Sequence, residues 1–364
     1  MPVVTICNHK GGTGKTTTSV HLAAAFGHAG RRVLVVDFDP QGFLTRTLGL
    51  PEPPPERSAL ALLDPEADLR TFPTEPVSGF DVIGSSMALT RSLRHLTKPT
   101  DVFWLRETLA AGHGYDLVLL DTAAALSVYT MNALVACDHV VVPVTPEYQP
   151  VVGAEQTWQT ARLVKSKLNP ALRPPRFLLT QLDARLSRHA RYSEYLREKY
   201  GGAVLATPIR TSSSLATASR DGRTVFDARL TTRGAVDYAM AAEEIGGVVF
   251  DTPTPRPLLR HAEDGSVTLV DLHQAVPAPR VEAVPEVEPP SADADRPRGV
   301  AAEPSPAVRR APARADAAAA REVLEEARTL AGAATPTPAP DGRAPAPSTG
   351  GASAATGWTS LDRI

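Results

Sequence analysis

Residues 8–19 read NHKGGTGKTTTS (Asn8 to Ser19) and follow directly on the apolar run VVTIC, Val3 to Cys7. Gly11, Gly12 and Gly14, with Thr13 between them and Lys15, Thr16 and Thr17 behind, form a loop whose backbone N–H groups can turn inward around an anion. A helix opening at Lys15 adds the positive end of its dipole to the same point. Gly14-Lys15-Thr16 is the tail of the G-x-x-x-x-G-K-[ST] phosphate-loop pattern, with two departures. His9 stands where the first glycine belongs, and a second lysine, Lys10, precedes the expected one by five positions.

Outward from the loop, strand and helix patterns alternate. TTTSVHLAAAFGHAG (Thr16 to Gly30) has helical spacing and stops at a glycine. RVLVVDFD (Arg32 to Asp39), YDLVLLDT (Tyr115 to Thr122), DHVVVPVTP (Asp138 to Pro146) and RFLLTQLD (Arg176 to Asp183) read as buried strands, and AVLATPI (Ala203 to Ile209) as a short sixth. Helices are expected over Asp101 to Ala111, Val152 to Leu168, His189 to Lys199 and Gly234 to Gly246. Continuous Val/Ile/Leu strands alternating with helices predict an α/β fold, a mostly parallel twisted sheet with helices on both faces. Ligands of such sheets sit at the carboxyl ends of the strands.

Three acids fall at those ends. Asp37 and Asp39 close the second strand at i and i+2, and Asp121 closes the third. With Lys15 reaching the β/γ-phosphates, Thr16 on Mg²⁺ and Thr17 on the α-phosphate, they complete the parts of a phosphoryl-transfer site. One of Asp37 and Asp39 would bond the metal's water shell and the other orient the attacking water. Asp121 occupies the place of a Walker B carboxylate, and a lone Asp there would read only as a turn former or helix cap.

KGGTGKTT, VVDFDPQG, YDLVLLDT, DHVVVPVTPEY, LLTQLDAR and TTRGAVDYAMAAEEI occur in the order and spacing of the ParA branch of the ParA/MinD ATPases, which this chain resembles over about residues 2–247. The resemblance implies a P-loop ATPase domain over residues 1–250 with ATP and Mg²⁺ as cofactors. It implies a homodimer in the ATP state, with Lys10 acting in trans on the partner's ATP and Lys15 in cis. It assigns Asp39 to the hydrolytic water, Asp37 and Asp121 with Thr16 to the metal side, and Pro208 to the adenine pocket. The family usually continues Asp-Thr-Pro-Pro in its second switch; here Asp121-Thr122-Ala123-Ala124-Ala125 stands instead, which loosens that loop.

Members of the ParA branch bind duplex DNA without sequence preference. Arg233 matches a DNA-facing arginine, while the second expected arginine aligns with Ser214; Arg210, Arg220 and Arg223 are the candidates to replace it. With a net charge of −2, DNA binding here has to come from a local patch. Two cysteines without metal-like spacing, Cys7 and Cys137, read as buried thiols in a reducing compartment, and Trp104 and Trp158 as core. His9 reads as a plain loop position. No apolar run approaches the roughly 18 residues of a membrane span.

From about Asp251 the composition turns to Pro, Ala, Glu and Arg, with half of the 34 prolines, and predicts a mostly disordered tail over 251–364. Within it ADAAAAREVLEEARTLAG (315–332) has an amphipathic helical pattern suited to a partner protein, and GWTSLDRI (357–364) is a candidate docking peptide. The leading functional expectation is a cytoplasmic, nucleoid-associated partition ATPase. It would segregate a plasmid, chromosome or other cargo through hydrolysis stimulated by a ParB-like or other adaptor. The alternative is a MinD-like or other positioning ATPase on a membrane or protein scaffold without DNA. No membrane partner is expected, because the tail helix mixes acids with bases. An iron–sulfur ATPase would need cysteines near the switches, and Cys7 is in the wrong place.

Overall fold

Apolar runs without polar alternation make strands that must be covered on both faces. The computed structural model, which describes residues 1–64, 67–93, 98–227, 232–262, 266–270 and 314–332, puts such runs at the centre of one sheet. The elements begin with β1 (Val3–Ile6), α1 (Lys15–His28), β2 (Val33–Asp37), α2 (Phe43–Thr47), β3 (Glu75–Val77), β4 (Phe80–Ile83), α3 (Ala88–Ser92), α4 (Trp104–Ala110), β5 (Leu117–Asp121) and α5 (Val128–Ala136). They continue with β6 (His139–Val144), α6 (Tyr148–Lys167), β7 (Arg176–Leu179), α7 (Ser187–Tyr200), α8 (Ser213–Arg220), α9 (Arg233–Val249), β8 (Leu259–His261), β9 (Val267–Leu269) and α10 (Arg314–Gly332).

The seven-stranded sheet runs β3-β4-β2-β5-β1-β6-β7, parallel except for the β3–β4 edge pair. Alternate residues of β1 and of the position just after it feed two cores: Val4 and Ile6 pack with α1 and α9, Val3 and Cys7 with the α5–α6 side. Because β1 lies between β5 and β6, and β2 beside β5, the carboxyl ends of β1, β2 and β5 meet. Ile6 is level with Asp121, and Asp121 with Asp37. The phosphate loop and the acids that the sequence spreads over 110 positions are thereby gathered at one edge.

Some elements differ from the sequence reading. Ala203 to Ile209 forms no strand: only the bridges Phe177–Val204 and Leu182–Arg210 are made, around a segment in which Pro208 has no N–H to donate. The helix expected over Asp101–Ala111 is split, a tight helical turn at Pro99–Phe103 preceding α4. The domain also extends past 250. Arg31 lies over the Phe250 ring at 4.3 Å and donates to the carbonyls of Thr252 and Pro253, and Leu258 and Leu259, where the β8–β9 hairpin begins, are buried in the core that α9 shares.

The helix expected at 315–332 is present as α10, and it lies against α6 and the Pro99–Phe103 turn of its own chain. The rest of the expected disordered tail, 271–313 and 333–364, and with it the terminal peptide 357–364, lies outside the described residues. Among the described residues no helix is long and apolar enough to cross a membrane. Cys7 and Cys137 are buried, and burial pushes their thiols up to about 11 and about 12, so both stay protonated. Trp104 and Trp158 pack against the core, Trp158 stacked on Phe177 with centroids 5.3 Å apart.

Candidate nucleotide site

Gly12 and Gly14 take the left-handed conformation, at φ 78° and 82°, which turns the loop back before α1 begins. The first turn of α1 carries no acid and no side-chain cap, so its N–H groups are left for an anion. A Cβ at Gly11 or Gly12 would meet nothing within 4 Å, so the loop encloses open space rather than side chains. Neighbouring elements fix its outer side. Thr180 Oγ1 donates to the Thr13 carbonyl at 2.8 Å, and Gln181, itself at φ 51°, donates through Nε2 to the Gly12 carbonyl at 2.7 Å. Thr157 Oγ1 accepts from the His9 amide at 3.0 Å, and Asn8 Nδ2 donates to the Pro143 carbonyl at 2.8 Å.

The two lysines occupy different environments. Lys15 is buried and folds back across the loop, its Nζ donating to the Lys10 carbonyl at 3.0 Å; burial lowers its pKa, with Asp121 and Asp39 opposing. Lys10 is exposed on the rim. His9 is largely buried beside α6, and neither ring nitrogen has a hydrogen-bond partner among the described residues; burial holds its pKa down at about 4.

Behind the loop stand the carboxylates. Asp121 accepts from Thr16 Oγ1 at 2.9 Å and from Ser19 Oγ at 2.7 Å. Asp37 accepts from the Thr45 amide at 2.9 Å, from Thr45 Oγ1 at 2.7 Å and from the Asp39 amide at 3.1 Å. Asp37 thus ties the segment following β2 to the sheet. Both acids are fully buried, and burial raises them, Asp37 to about 7 and Asp121 to about 6, Asp37 further by the charge of Asp121 beside it. A cation would relieve that repulsion. Asp39 lies beyond the strand end, largely buried, one carboxylate oxygen on the Gln41 amide at 2.8 Å and its carbonyl on Ser85 Oγ at 2.7 Å.

These residues fit a magnesium nucleotide. Among the described residues no group of three or more His, Cys, Asp or Glu is placed to hold a metal alone. Mg²⁺ is commonly held by one or two carboxylates and a hydroxyl together with phosphate oxygens, and Thr16 and Asp121, in contact at 2.9 Å, are the residues that could supply that protein share. The loop after Asp121 has anchors in place of the two prolines. Thr122 Oγ1 donates to the Ile6 carbonyl, Thr130 Oγ1 to the Ala125 carbonyl, and Ser127 caps α5.

Ser19, Thr45, Ser85, Thr157, Thr180 and Gln181 were not singled out from the sequence. Only Ser19 had a local signal, lying one helical turn after Thr16 and so on the same face. Pro208 is half-buried in the segment bridged to Leu182, next to Gln181.

The arginines divide. Arg233 is the exposed first residue of α9, whose cap Thr232 accepts from the Ala235 amide at 3.2 Å. Gly234 abuts Ser214 and Leu215 of α8, so Arg233 and Ser214 adjoin. Arg210 is engaged by the buried Asp237, which accepts its amide at 2.9 Å as well as its guanidinium, and Arg220 pairs with Asp221 at 3.0 Å. Arg223 is exposed and edges an open hollow of about 480 Å³ that Ser213, Ser214, Thr217 and Thr232 also line.

A parallel sheet carrying a glycine loop, a buried lysine and paired strand-end acids defines a P-loop nucleotide hydrolase. Residues 1–174 match the family model described as AAA domain. The chain is 39% identical over 247 residues to the chromosome-partitioning ATPase Soj of Thermus thermophilus, covering 66% of this chain and 94% of that protein. It is 35% identical over 246 residues to the sporulation initiation inhibitor protein Soj of Bacillus subtilis, covering 67% and 97%. Cobyrinic acid a,c-diamide synthase from Mycobacterium smegmatis with bound ADP and magnesium is a structural neighbour, with a TM-score of 0.58, 27% identity and coverage of 70% of this chain and 98% of that one. The chain belongs to the ParA-type partition ATPases, and it is an ATPase whose cofactors are ATP and Mg²⁺.

Proposed function

We propose that this chain is a nucleotide-switched partition ATPase that dimerises with ATP, binds duplex DNA without sequence preference as the dimer, and releases it after partner-stimulated hydrolysis. The observation that carries this reading is the separation of the two lysines: Lys15 is buried inside its own loop, while Lys10 stands exposed on the rim, free to reach a second copy. Gly11 to Gly14 and the first amides of α1 hold phosphate oxygens, Lys15 neutralises them in cis, and Thr17 and Pro208 flank the nucleotide. Lys10 crosses to the partner's phosphates, which makes association depend on the γ-phosphate. Thr16 and Asp121, with Asp37 behind, would hold Mg²⁺, which when bound would offset charge that builds on the phosphates.

Asp39 orients the attacking water, and its links to Gln41 and Ser85 let the segment after β2 respond to phosphate loss. Arg233 and Arg223 supply phosphate contacts to DNA, with Arg220 beside them; Arg210 contributes less, since Asp237 already engages it. A ParB-like or other cargo adaptor stimulates turnover, and the protein works in the cytoplasm on nucleoid DNA. The test is light scattering with ATP or ADP. Lys15→Ala is expected to abolish nucleotide binding, and Lys10→Ala to keep ATP yet stay monomeric; an ATP dimer of the Lys10 variant would refute the trans role.

A further inference from the structure

Helix α10 is held against the domain in a manner unlike the core helices. Its fully buried side chains are Ala320, Val323 and Ala327, with Ala319 and Leu324 partly covered, so nothing larger than valine is completely enclosed. Its contacts are α6 and the Pro99–Phe103 turn. Two polar links hold it, one at its C-terminal end and one at its middle. Gln156 Nε2 donates to the Leu330 carbonyl at 2.8 Å, satisfying one of the last carbonyls that have no partner within a helix. Lys167 Nζ reaches Glu322 at 2.5 Å and Glu326 at 3.6 Å, and both glutamates are about half exposed or more, at 61% and 48%.

The face of α6 beneath it has a matching character. Gln156, Thr160, Leu163 and Lys167 recur at i, i+4, i+7 and i+11 and so share one stripe, three of them polar. A stripe of that kind is soluble when bare, yet Gln156 is only 5% exposed because α10 covers it. Ala320 and Val323 join the main core, to which Val102 and Phe103 of the turn also belong, but small side chains on the helix and ion pairs whose glutamates stay about half exposed or more make a contact of modest intrinsic strength. The covalent connection through residues 271–313 then raises its occupancy by effective concentration.

We propose that the groove between α6 and the Pro99–Phe103 turn is a helix-docking surface, that α10 is its tethered and releasable occupant, and that the partner it fits is a helix of the same pattern. Such a helix carries a small-residue stripe at i, i+3 and i+7 with two acids one turn apart facing Lys167. A partner presenting it exchanges with α10, and α10 freed in this way becomes available to other surfaces.

The probe is a fluorescent peptide of residues 314–332, titrated into the full-length chain and followed by anisotropy. Against a full-length variant carrying Val323→Lys and Ala327→Lys in its own α10, saturable binding is expected. The parent chain should bind at least about tenfold more weakly, since its groove is occupied. Adding Lys167→Glu to that variant should weaken the peptide, and a peptide with Glu322→Lys and Glu326→Lys should recover the loss. Independently of any variant's folding, excess unlabelled peptide should speed hydrogen exchange of the parent's own α10 amides while α6 stays protected. Absence of saturable binding to a folded variant, equal binding to parent and variant, indifference to the Lys167 charge swap, or α10 exchange that ignores the peptide would each overturn the proposal.

Discussion

Gly153 lies where α6 passes behind the phosphate loop, and a Cβ there would sit 2.7 Å from Asn8 Oδ1, 2.8 Å from Lys10 Cβ and 3.0 Å from the Lys10 amide. Alanine in a helix interior is otherwise favoured over glycine by roughly 1 kcal/mol. A loss in Gly153→Ala therefore reports the contact with the loop. The variant should fold and bind ATP while its ATP-dependent self-association drops severalfold in light scattering; parent-like association would mean that the Lys10 segment yields without consequence. A second residue reports on pH. His21 is buried against Tyr238 with neither ring nitrogen partnered among the described residues, and burial holds it down at about 3. Between the ordinary histidine value near 6.5 and about 3 the unfolded chain binds a proton that the folded chain refuses, so stability falls as pH falls, by about 1.4 kcal/mol per unit. His21→Phe should reduce the stability difference between pH 7 and pH 5, from urea unfolding, by about 2 kcal/mol, and an unchanged difference would place the acid sensitivity elsewhere. Lys15, Thr16 and the strand-end acids were legible because their meaning is carried by short local spacing. Gly153 and Thr45 were not, because their contacts are set by elements far away in the chain.

At the scale of elements the same division holds. Long apolar runs identified β1, β2, β5, β6 and β7, since only a doubly covered parallel sheet buries them. Three-residue strands do not announce themselves: Leu259–His261 and Val267–Leu269 lie in a proline-rich stretch whose composition alone speaks for an unfolded tail. Their order comes from α9 and from Arg31, neither of which can be read from the local sequence. α10 is the complementary case, a helix plain from its periodicity, with Ala320, Val323, Leu324, Ala327 and Leu330 on one side; that face is the one buried, and what could not be read locally is the surface of α6 it meets. The hairpin gives a prediction. Leu259 is 5% exposed within the α1–α9 core, so Leu259→Ala should lower domain stability by about 2 kcal/mol in chemical denaturation. A change below about 0.5 kcal/mol would show that the segment beyond 250 is not part of the cooperative unit.

For the whole molecule the decisive quantity is where charge resides. At a net charge of −2 the chain has no general attraction for a polyanion, and several of its arginines are already engaged: Arg210 by Asp237, Arg185 by Asp183, Arg188 by Glu147. On the proposed reading, DNA affinity would rest on a few exposed cations around the start of α9, their number doubled when two copies associate. Each phosphate contact releases condensed counterions and contributes about 0.9 to the slope of log affinity against log salt on duplex DNA. With ATP, the parent should bind an arbitrary duplex with an affinity that falls steeply as salt rises, and ADP should abolish the binding. Arg233→Ala should weaken all sequences alike and lower the slope by about one for each protomer's arginine lost from the contact. Ser214 adjoins Arg233 where relatives of this type are expected to carry a second arginine, so Ser214→Arg should steepen the slope from the same spot. If neither substitution moves the slope while ATP still assembles the dimer, the α8–α9 surface does not meet phosphate, and the DNA contact lies elsewhere on the dimer.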